Sequence, residues 1–362
     1  MTMIPPRFLS FLMMPGLLAA QPAQDTSLIH EVETRLPKLM AKHHVPGAAV
    51  VRIEDRRIAW AKYLGVREAG KEAPVDAATV FEAASMTKPL AAYAALKLVE
   101  QGFLDLDRPL ASYLSQPYLR DQPLHLKITA RMVLNHTSGF PNWRGAQGLK
   151  VLHEPGTRHG YSGEGFQLLQ LVLTQITGRP YESLMQEMLL RPLGMTSSSH
   201  VWAEHFASCV AAGHDDQGRV KTDRKLYHRP NAAYSLYCTP RDYAAFVIEM
   251  LKSDRKAAHS VGAASLRAML TPSGPPVGNV AMRGDIQPRF GLGWCLESAG
   301  SATEQRVFHS GSNGTGFRSL VEFEPQRGHG LVIMTNSTRG GELCRELLRL
   351  QVPVSALRKR GP

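Results

Sequence analysis

The hydrophobic residues of the N-terminal third follow first a helical and then a strand spacing. Apolar positions three to four residues apart over residues 27–42 predict an amphipathic helix. Two strand-like runs, 48–53 and 57–64, lie on either side of a short polar turn and predict a β-hairpin. Residues 90–99 are apolar on nearly every side, which predicts a buried helix closed by Gly102.

The middle of the chain has a helical pattern, and strand patterns return near its C-terminal end. Amphipathic windows at 166–176 and 181–190 predict two helices, and a last helix is predicted over 342–350. The strand-like runs that precede this last helix are 290–296, 307–310, 317–323 and 331–335. Strands therefore lie at both ends of the chain, with helices between them.

This order of elements predicts an α/β (α+β) fold with two lobes. One lobe is a largely antiparallel sheet, built from residues of about 24–100 and 285–352 and flanked by the terminal helices. The other is an all-helical lobe of residues of about 101–284. We expect a cleft between the lobes, where binding pockets are commonly found.

The two ends of the chain lie outside this predicted single domain of residues 24–352. Arg7, an apolar run over 8–18 and the small residues after it give residues 1–23 the pattern of a secretory signal peptide. We therefore expect a periplasmic or secreted mature protein. No later segment reaches the length of a membrane span, so stable membrane insertion is not expected. Residues 353–362 form a basic tail.

Composition narrows the classes of protein to which the chain can belong. Its 43% hydrophobic residues are enough for a large core. The net charge of +11 is not arranged as a basic stripe interleaved with aromatic residues, so we expect a solvated surface and no nucleic-acid partner. The four cysteines are far apart, which favours free thiols. Metal-ligand spacing is absent from the sequence, and neither a metal nor another cofactor is expected.

A serine and a lysine three residues apart precede the apolar helix. Ser85 and Lys88 share one helical face, which is the arrangement of a nucleophile with an adjacent base. Apolar neighbours can desolvate Lys88 and lower its pKa by about three units, into the range of a base near neutral pH. The same spacing recurs at Ser253 and Lys256, but that pair lies in a charged run, where the lysine is expected to keep its ordinary pKa.

Two further segments can supply the remaining parts of serine acylation chemistry. Tyr161 lies in a glycine-rich loop that lets its phenol point into a cleft. Beside a desolvated ammonium its pKa is expected to fall, as suits a proton shuttle. The backbone N–H of Ser312 can pair with that of Ser85 around a developing oxyanion. The segment that carries this N–H continues a strand into a turn and consists of His309, Ser310, Gly311 and Ser312.

These segments, in this order, resemble the Ser-x-x-Lys, Tyr-x-Asn and Lys-Thr-Gly motifs of the class C β-lactamase family. That family also includes D,D-peptidases, D-aminopeptidases and family VIII carboxylesterases. The resemblance covers roughly residues 27–350 and implies the two-lobed fold, with Ser85 acylated, Lys88 and Tyr161 exchanging protons, and water releasing the acyl group. Supporting matches lie at 134–139 (Leu-Asn-His-Thr-Ser-Gly), 154–156 (Glu-Pro-Gly) and 191–195 (Arg-Pro-Leu-Gly-Met).

Two positions depart from the family's motifs. Gly163 stands where the family often has Asn, so the side chain that would contact a substrate amide is missing. This puts efficient hydrolysis of β-lactams and peptides in doubt. His309 stands where the lactamases have lysine, as in the esterase and D,D-peptidase branches. Because histidine titrates near about pH 6.5, its attraction for a carboxylate is expected to fade as the pH rises.

The expected function is that of an exported serine hydrolase that cleaves small-molecule esters of short or aromatic acids through an acyl-enzyme. We expect a carboxylesterase, with weak β-lactam hydrolysis as a secondary activity. Two alternatives stay open at this point. One is a β-lactamase or D-amino-acid peptidase (D,D-peptidase) of the same family, acting on an amide, and the other is a penicillin-binding protein that does not hydrolyse its ligand. We expect a monomer or a small homo-oligomer.

Overall fold

The computed structural model describes residues 26–278, 287–298 and 305–350. The predicted signal peptide (1–23) and basic tail (353–362) lie outside these residues. The strands are β1 (Gly47–Glu54), β2 (Arg57–Gly65), β3 (Phe81–Glu82), β4 (Tyr237–Cys238), β5 (Arg289–Phe290), β6 (Cys295–Ser298), β7 (Gln305–Asn313), β8 (Phe317–Glu324) and β9 (His329–Thr335). The α-helices are α1 (Thr26–Lys42), α2 (Thr87–Glu100), α3 (Ala130–Leu134), α4 (Gly163–Thr177), α5 (Tyr181–Met185), α6 (Pro240–Leu251), α7 (Ala263–Met269) and α8 (Gly340–Leu350).

One antiparallel sheet joins the two ends of the chain. Its 7 strands lie in the order β2-β1-β9-β8-β7-β6-β5, and every neighbouring pair is antiparallel. The N-terminal hairpin is attached through β1, where Val50 lies opposite Lys62 of β2 and Ile333 of β9. The sheet predicted from both ends of the sequence is confirmed.

The two faces of the sheet are buried against different helices. Because successive side chains of a strand point to opposite faces, Val50 and Ile333 pack with α1 and α8, while Val51 and Val332 belong to the main core. That main core also contains α2, α4 and the helices around them. The strands are therefore apolar on both faces, which is why they read as nearly continuous hydrophobic runs.

The two-lobed α/β fold is confirmed, with three local differences from the sequence prediction. The run 290–296 is not one strand: a turn divides it, and β5 pairs with β6. Helix α6 lies within the segment predicted to form the helical lobe, but it packs on β1 and β9 of the sheet. The helical segment also contains β4, which forms a short ladder with β3. No helix in the described ranges combines the length and the apolar character that crossing a membrane requires.

Helix α2 is the buried helix predicted from residues 90–99. All its residues from Thr87 to Leu98 are buried. Its last turn is followed by Gly102 at a φ of +77°, the left-handed conformation that ends helices and favours glycine. A helix held on all sides in this way gives its first turn a fixed position.

Candidate active site

Ser85 lies in a 3₁₀ turn, Ala84–Met86, that leads directly into α2. Ala84 has a φ of +51°, a left-handed conformation that costs a residue with a Cβ about 1–2 kcal/mol. The turn is held from both sides, because the N–H of Ala83 donates to Leu236 O (2.8 Å) and the Tyr243 hydroxyl donates to Met86 O (2.8 Å). Ser85 itself stays partly exposed at the cleft between the lobes.

Lys88 is fully buried beside this serine. Its Nζ lies 3.2 Å from the Oγ of Ser85 and donates to the carbonyl of Ala233 at 2.8 Å. Burial lowers the pKa of Lys88 to about 7. The predicted shift is therefore confirmed, and desolvation alone causes it. A lysine with this pKa is half neutral near pH 7, which is the protonation state that a base needs.

Tyr161 completes a group of three at the serine. Its ring centroid lies 4.7 Å from the Nζ of Lys88, and its ring packs with Phe290, Cys295 and Phe308. Burial raises the pKa of Tyr161 above its usual value, and the hydrogen bond with Ser85 acts in the opposite direction. The expectation that this pKa falls is wrong, because the effect of burial is the largest. The resting phenol is protonated.

His136, in the segment 134–139, holds the tyrosine loop in place. Its ring stacks on Tyr161, with centroids 4.2 Å apart, and its Nδ1 accepts from the backbone N–H of Ser162 at 3.1 Å. The carbonyl of His136 accepts from the N–H of Gly160 at 2.8 Å. Burial lowers the pKa of His136 well below its usual value, so the ring is neutral. The segment that supports the family resemblance thus orients Tyr161.

Strand β7 passes close to the serine turn. Its pairing with β6 ends at Phe308, so the edge of β7 from His309 onward is not covered by β6. A Cβ at Gly311 would lie 2.2 Å from the backbone oxygen of Ala83, and only glycine permits this approach. Ser312, the next residue, lines the same cleft as Ser85.

His309 and Ser310 do not contribute charge or a side chain to this cleft. His309 is buried, its Nδ1 donates to the carbonyl of Ser310 (2.9 Å), and burial lowers its pKa to about 3. The expectation that His309 titrates near its ordinary value is wrong, because the desolvated ring stays neutral over the working range of pH. Ser310 is exposed, and the cleft-lining residues include Ser312 but not Ser310.

A buried carboxylate that sequence reasoning missed connects the two sides of the cleft. Oε2 of Glu82, three residues before Ser85, accepts from Thr315 (2.6 Å), Tyr227 (2.9 Å) and the amide of Asn313 (3.1 Å). Burial raises the pKa of the Glu82 carboxyl, and these three hydrogen bonds oppose that shift. Glu82 thereby fixes the end of β7 relative to Tyr227 on the opposite wall.

The cleft has a volume of about 630 Å³, and Trp143 covers the position of Gly163 on one wall. A Cβ built on Gly163 would lie 2.4 Å from Cη2 of the Trp143 ring. The space that a side chain at this position would occupy is therefore taken by the indole. Sequence reasoning missed Trp143, since it lies 20 residues before Gly163 in a loop without a periodic pattern.

The described residues offer no group of three or more His, Cys, Asp and Glu side chains arranged to hold a metal ion. His136, His159 and His309 lie around Tyr161, and each has a buried Nε2 without a hydrogen-bond partner among these residues. The four cysteines are free thiols.

A serine beside a desolvated lysine and a tyrosine, at the cleft of a two-lobed fold, is the arrangement of a serine hydrolase. A profile of the Beta-lactamase family matches residues 32–352 of the chain. The chain therefore belongs to the Beta-lactamase family of serine hydrolases.

Individual relatives are distant. Protein flp of Staphylococcus aureus (strain COL) is 24% identical over 328 residues, which cover 84% of this chain and 62% of that protein. The chain thus spans less than two thirds of that curated relative. A class C beta-lactamase superposes with a TM-score of 0.76 at 20% identity, covering 92% of this chain and 98% of the other. D-alanine carboxypeptidase AmpC from Burkholderia cenocepacia superposes with a TM-score of 0.74 at 21% identity, covering 90% and 98%. These two likenesses are of fold.

Proposed function

We propose that this protein is a carboxylesterase that works through an acyl-enzyme on Ser85. The observation that carries the proposal is Gly163 beneath the Trp143 ring. This position has no side-chain amide to meet an amide of the substrate, and the indole leaves no room for one. A substrate amide therefore lacks the partner that the family's Asn would give it at this position, which weakens discrimination in favour of amides over esters.

In the proposed first step, the neutral amine of Lys88 accepts the proton of Ser85 as Oγ attacks the ester carbonyl. The 3.2 Å separation of Nζ and Oγ allows direct transfer. The negative charge that develops on the carbonyl oxygen is stabilised by the backbone N–H groups of Ser85 and Ser312. Each such donor contributes about 3–4 kcal/mol in characterised enzymes.

In the second half of the reaction, Tyr161 relays the proton from Lys88 to the departing alcohol. The phenol is protonated at rest, so it donates its own proton as it receives one from Lys88, and the alcohol leaves with Ser85 acylated. Water then attacks the acyl group while Lys88 again accepts a proton. Lys88 returns this proton to the Oγ of Ser85 as the bond to the acyl group breaks, so the carboxylic acid is released and the Ser85 hydroxyl is restored.

A substrate panel tests the proposal. We expect kcat/KM for p-nitrophenyl butyrate to exceed the values for nitrocefin and for a D-Ala-D-Ala peptide on the same preparation, and Ser85→Ala to lose all three activities. A higher value for nitrocefin or the peptide would establish the second candidate, an amide hydrolase, which the fold shared with the D-alanine carboxypeptidase favours. Stable acylation of Ser85 without turnover would establish a penicillin-binding protein instead.

We also propose that the protein is exported, on the pattern of residues 1–23. Expression in a Gram-negative host, followed by fractionation and N-terminal sequencing, tests this. The expected result is a periplasmic protein that begins near Gln21 or Gln24. A cytoplasmic protein that retains residues 1–23 would contradict it.

A further inference from the structure

Trp143 stands out in the cleft because it is large, aromatic and substantially exposed. The residue remains 42% exposed, and it lines the same cleft as Ser85. Exposed tryptophan in a concave site commonly contacts a ligand, since the ring buries a large apolar area when it is covered.

The backbone on both sides of Trp143 is fixed to the start of α4. The carbonyl of Asn142 accepts from the N–H groups of Gly163 (3.0 Å) and Glu164 (3.1 Å). On the other side, Arg144 donates to Glu164 through its backbone N–H (3.0 Å) and its guanidinium (3.0 and 2.8 Å). The backbone of Trp143 is therefore fixed beside the start of α4, where its ring lies over Gly163.

Two tyrosines extend the indole into an aromatic wall. Trp143 meets Tyr234 edge to face, with centroids 5.4 Å apart and planes at 82°. Tyr234 meets Tyr227 in the same manner at 5.3 Å and 69°. All three line the cleft together with the small or short side chains of residues 312–315. An aromatic ring of a ligand can pack against these rings, face to face or edge to face.

We propose that Trp143, with Tyr234, forms a subsite for an aromatic ring of the ester substrate. This inference rests on the proposed esterase function and names the class of substrate. A ring that stacks on the wall gains about two- to tenfold in affinity over an aliphatic ring of equal size, the usual worth of an aromatic pair beyond buried area. Trp143 is thus a specificity-determining residue.

Matched substrates test the subsite. Methyl phenylacetate is compared with methyl cyclohexylacetate for a ring in the acyl group, and benzyl acetate with cyclohexylmethyl acetate for a ring in the alcohol, all followed by pH-stat. We expect a two- to tenfold preference in kcat/KM for the aromatic member of one pair. Trp143→Ala is expected to abolish this preference and Trp143→Phe to retain part of it. Phe103→Ala removes an aromatic residue that is 53% exposed elsewhere and should change nothing.

Gly163→Ala supplies a second, coupled variant. Its Cβ would displace the Trp143 ring, so the preference for the aromatic ester should fall when Gly163→Ala is introduced into the wild-type protein. In Trp143→Ala, which has no ring to displace, the same substitution should cause no further change. Equal phenyl and cyclohexyl rates in both pairs for the wild-type protein would overturn the proposal. A preference that survives Trp143→Ala would also overturn it.

A binding measurement separates this inference from the proposed function. Phenylacetate and benzyl alcohol, each against its cyclohexyl counterpart, are titrated by ligand-observed NMR into Ser85→Ala and into Ser85→Ala/Trp143→Ala. We expect tighter aromatic binding only when Trp143 is present. If the wild-type protein cleaves no ester but this difference is found, the esterase proposal fails and the ring subsite stands. If esters are cleaved but no difference is found, the subsite alone fails.

Discussion

At the scale of single residues, burial decides the protonation states of the site. Lys88, Tyr161 and His309 are all shifted toward their neutral forms, because the charged form of each would have to be desolvated. The amine is then the one group of the three that titrates near neutral pH. In the proposed mechanism, Lys88 takes up a proton and the neutral phenol of Tyr161 relays it.

The pH dependence of the rate follows from this assignment. We expect kcat/KM for an ester to rise as the pH passes through about 7, since Lys88 must lose its proton before it can act as a base. Lys88→Arg keeps the charge but cannot be deprotonated in this range, so it should lose activity at every pH. A rate that is flat between pH 5.5 and 8.5 in the wild-type protein would contradict the assignment.

Stability should depend on pH for the same reason. The pKa of Lys88 is about 7 in the folded protein and about 10.4 in an unfolded chain, so between these values the folded state binds fewer protons. Stability contributed through Lys88 therefore rises with pH across this window, by up to about 1.4 kcal/mol per pH unit.

Lys88→Met removes this pH-dependent contribution to stability. The stability of this variant relative to the wild type, measured as the difference in free energy of unfolding from urea titrations, should be higher at pH 7 than at pH 9.5. The difference between variant and wild type isolates Lys88 from the other titrating groups. A difference that does not change with pH would show that Lys88 is not desolvated.

At the scale of elements, three segments converge on Ser85, and each is fixed by a different device. The serine turn is pinned by backbone hydrogen bonds, the tyrosine loop is stacked on His136, and the end of β7 is held by Glu82. The close approach of β7 to the turn depends on Gly311. The arrangement of groups around Ser85 therefore depends on the contacts between these three segments.

Gly311→Ala tests the close approach of β7 to the serine turn. Its Cβ would push β7 away from Ala83 and carry the N–H of Ser312 out of reach, so kcat should fall about 10²–10³-fold, as when one oxyanion-hole donor is lost. Gly145→Ala, where a Cβ meets nothing within 4 Å, is the matched control and should keep full activity. Wild-type kcat in a folded Gly311→Ala protein would exclude the proposed role of β7.

The sequence predicted the secondary-structure elements better than it predicted the environment of their side chains. Periodicity located α2 and most strands of the large sheet, and the spacing of Ser85 and Lys88 in an apolar stretch pointed to the desolvated pair. The direction predicted for the pKa of Tyr161 and the ordinary pKa predicted for His309 were wrong, because both values depend on burial by residues that are distant in the sequence. Trp143 was missed for the same reason: its position over Gly163 is fixed by hydrogen bonds that have no local sequence pattern.

At the scale of the whole molecule, the sheet separates a structural face from a catalytic one. Helices α1 and α8 cover one face through a core of their own, and the serine turn packs into the core on the other face. Changes in the first core should then affect stability without altering the geometry of the site.

The Leu343→Ala variant tests whether the two faces of the sheet are independent. Leu343 is fully buried on α8, so its truncation should lower the free energy of unfolding by about 2–5 kcal/mol while kcat at 25 °C stays unchanged. Leu171→Ala, at a leucine that is 43% exposed, should change stability by less than about 0.5 kcal/mol. Urea denaturation and initial rates on the same samples make the comparison. A large loss of kcat in folded Leu343→Ala would show that the two faces are coupled.

The central claim is that Ser85 is the residue acylated, and covalent labelling measures this directly. The protein is treated with an activated phosphonate ester, and the adduct is located by intact-protein and peptide mass spectrometry. The second Ser-x-x-Lys pair provides the control, since Ser253 and Lys256 are exposed. We predict one phosphonyl group per chain on Ser85, in wild type and Ser253→Ala alike, and none in Ser85→Ala. An adduct on another residue, or undiminished labelling of Ser85→Ala, would contradict the claim.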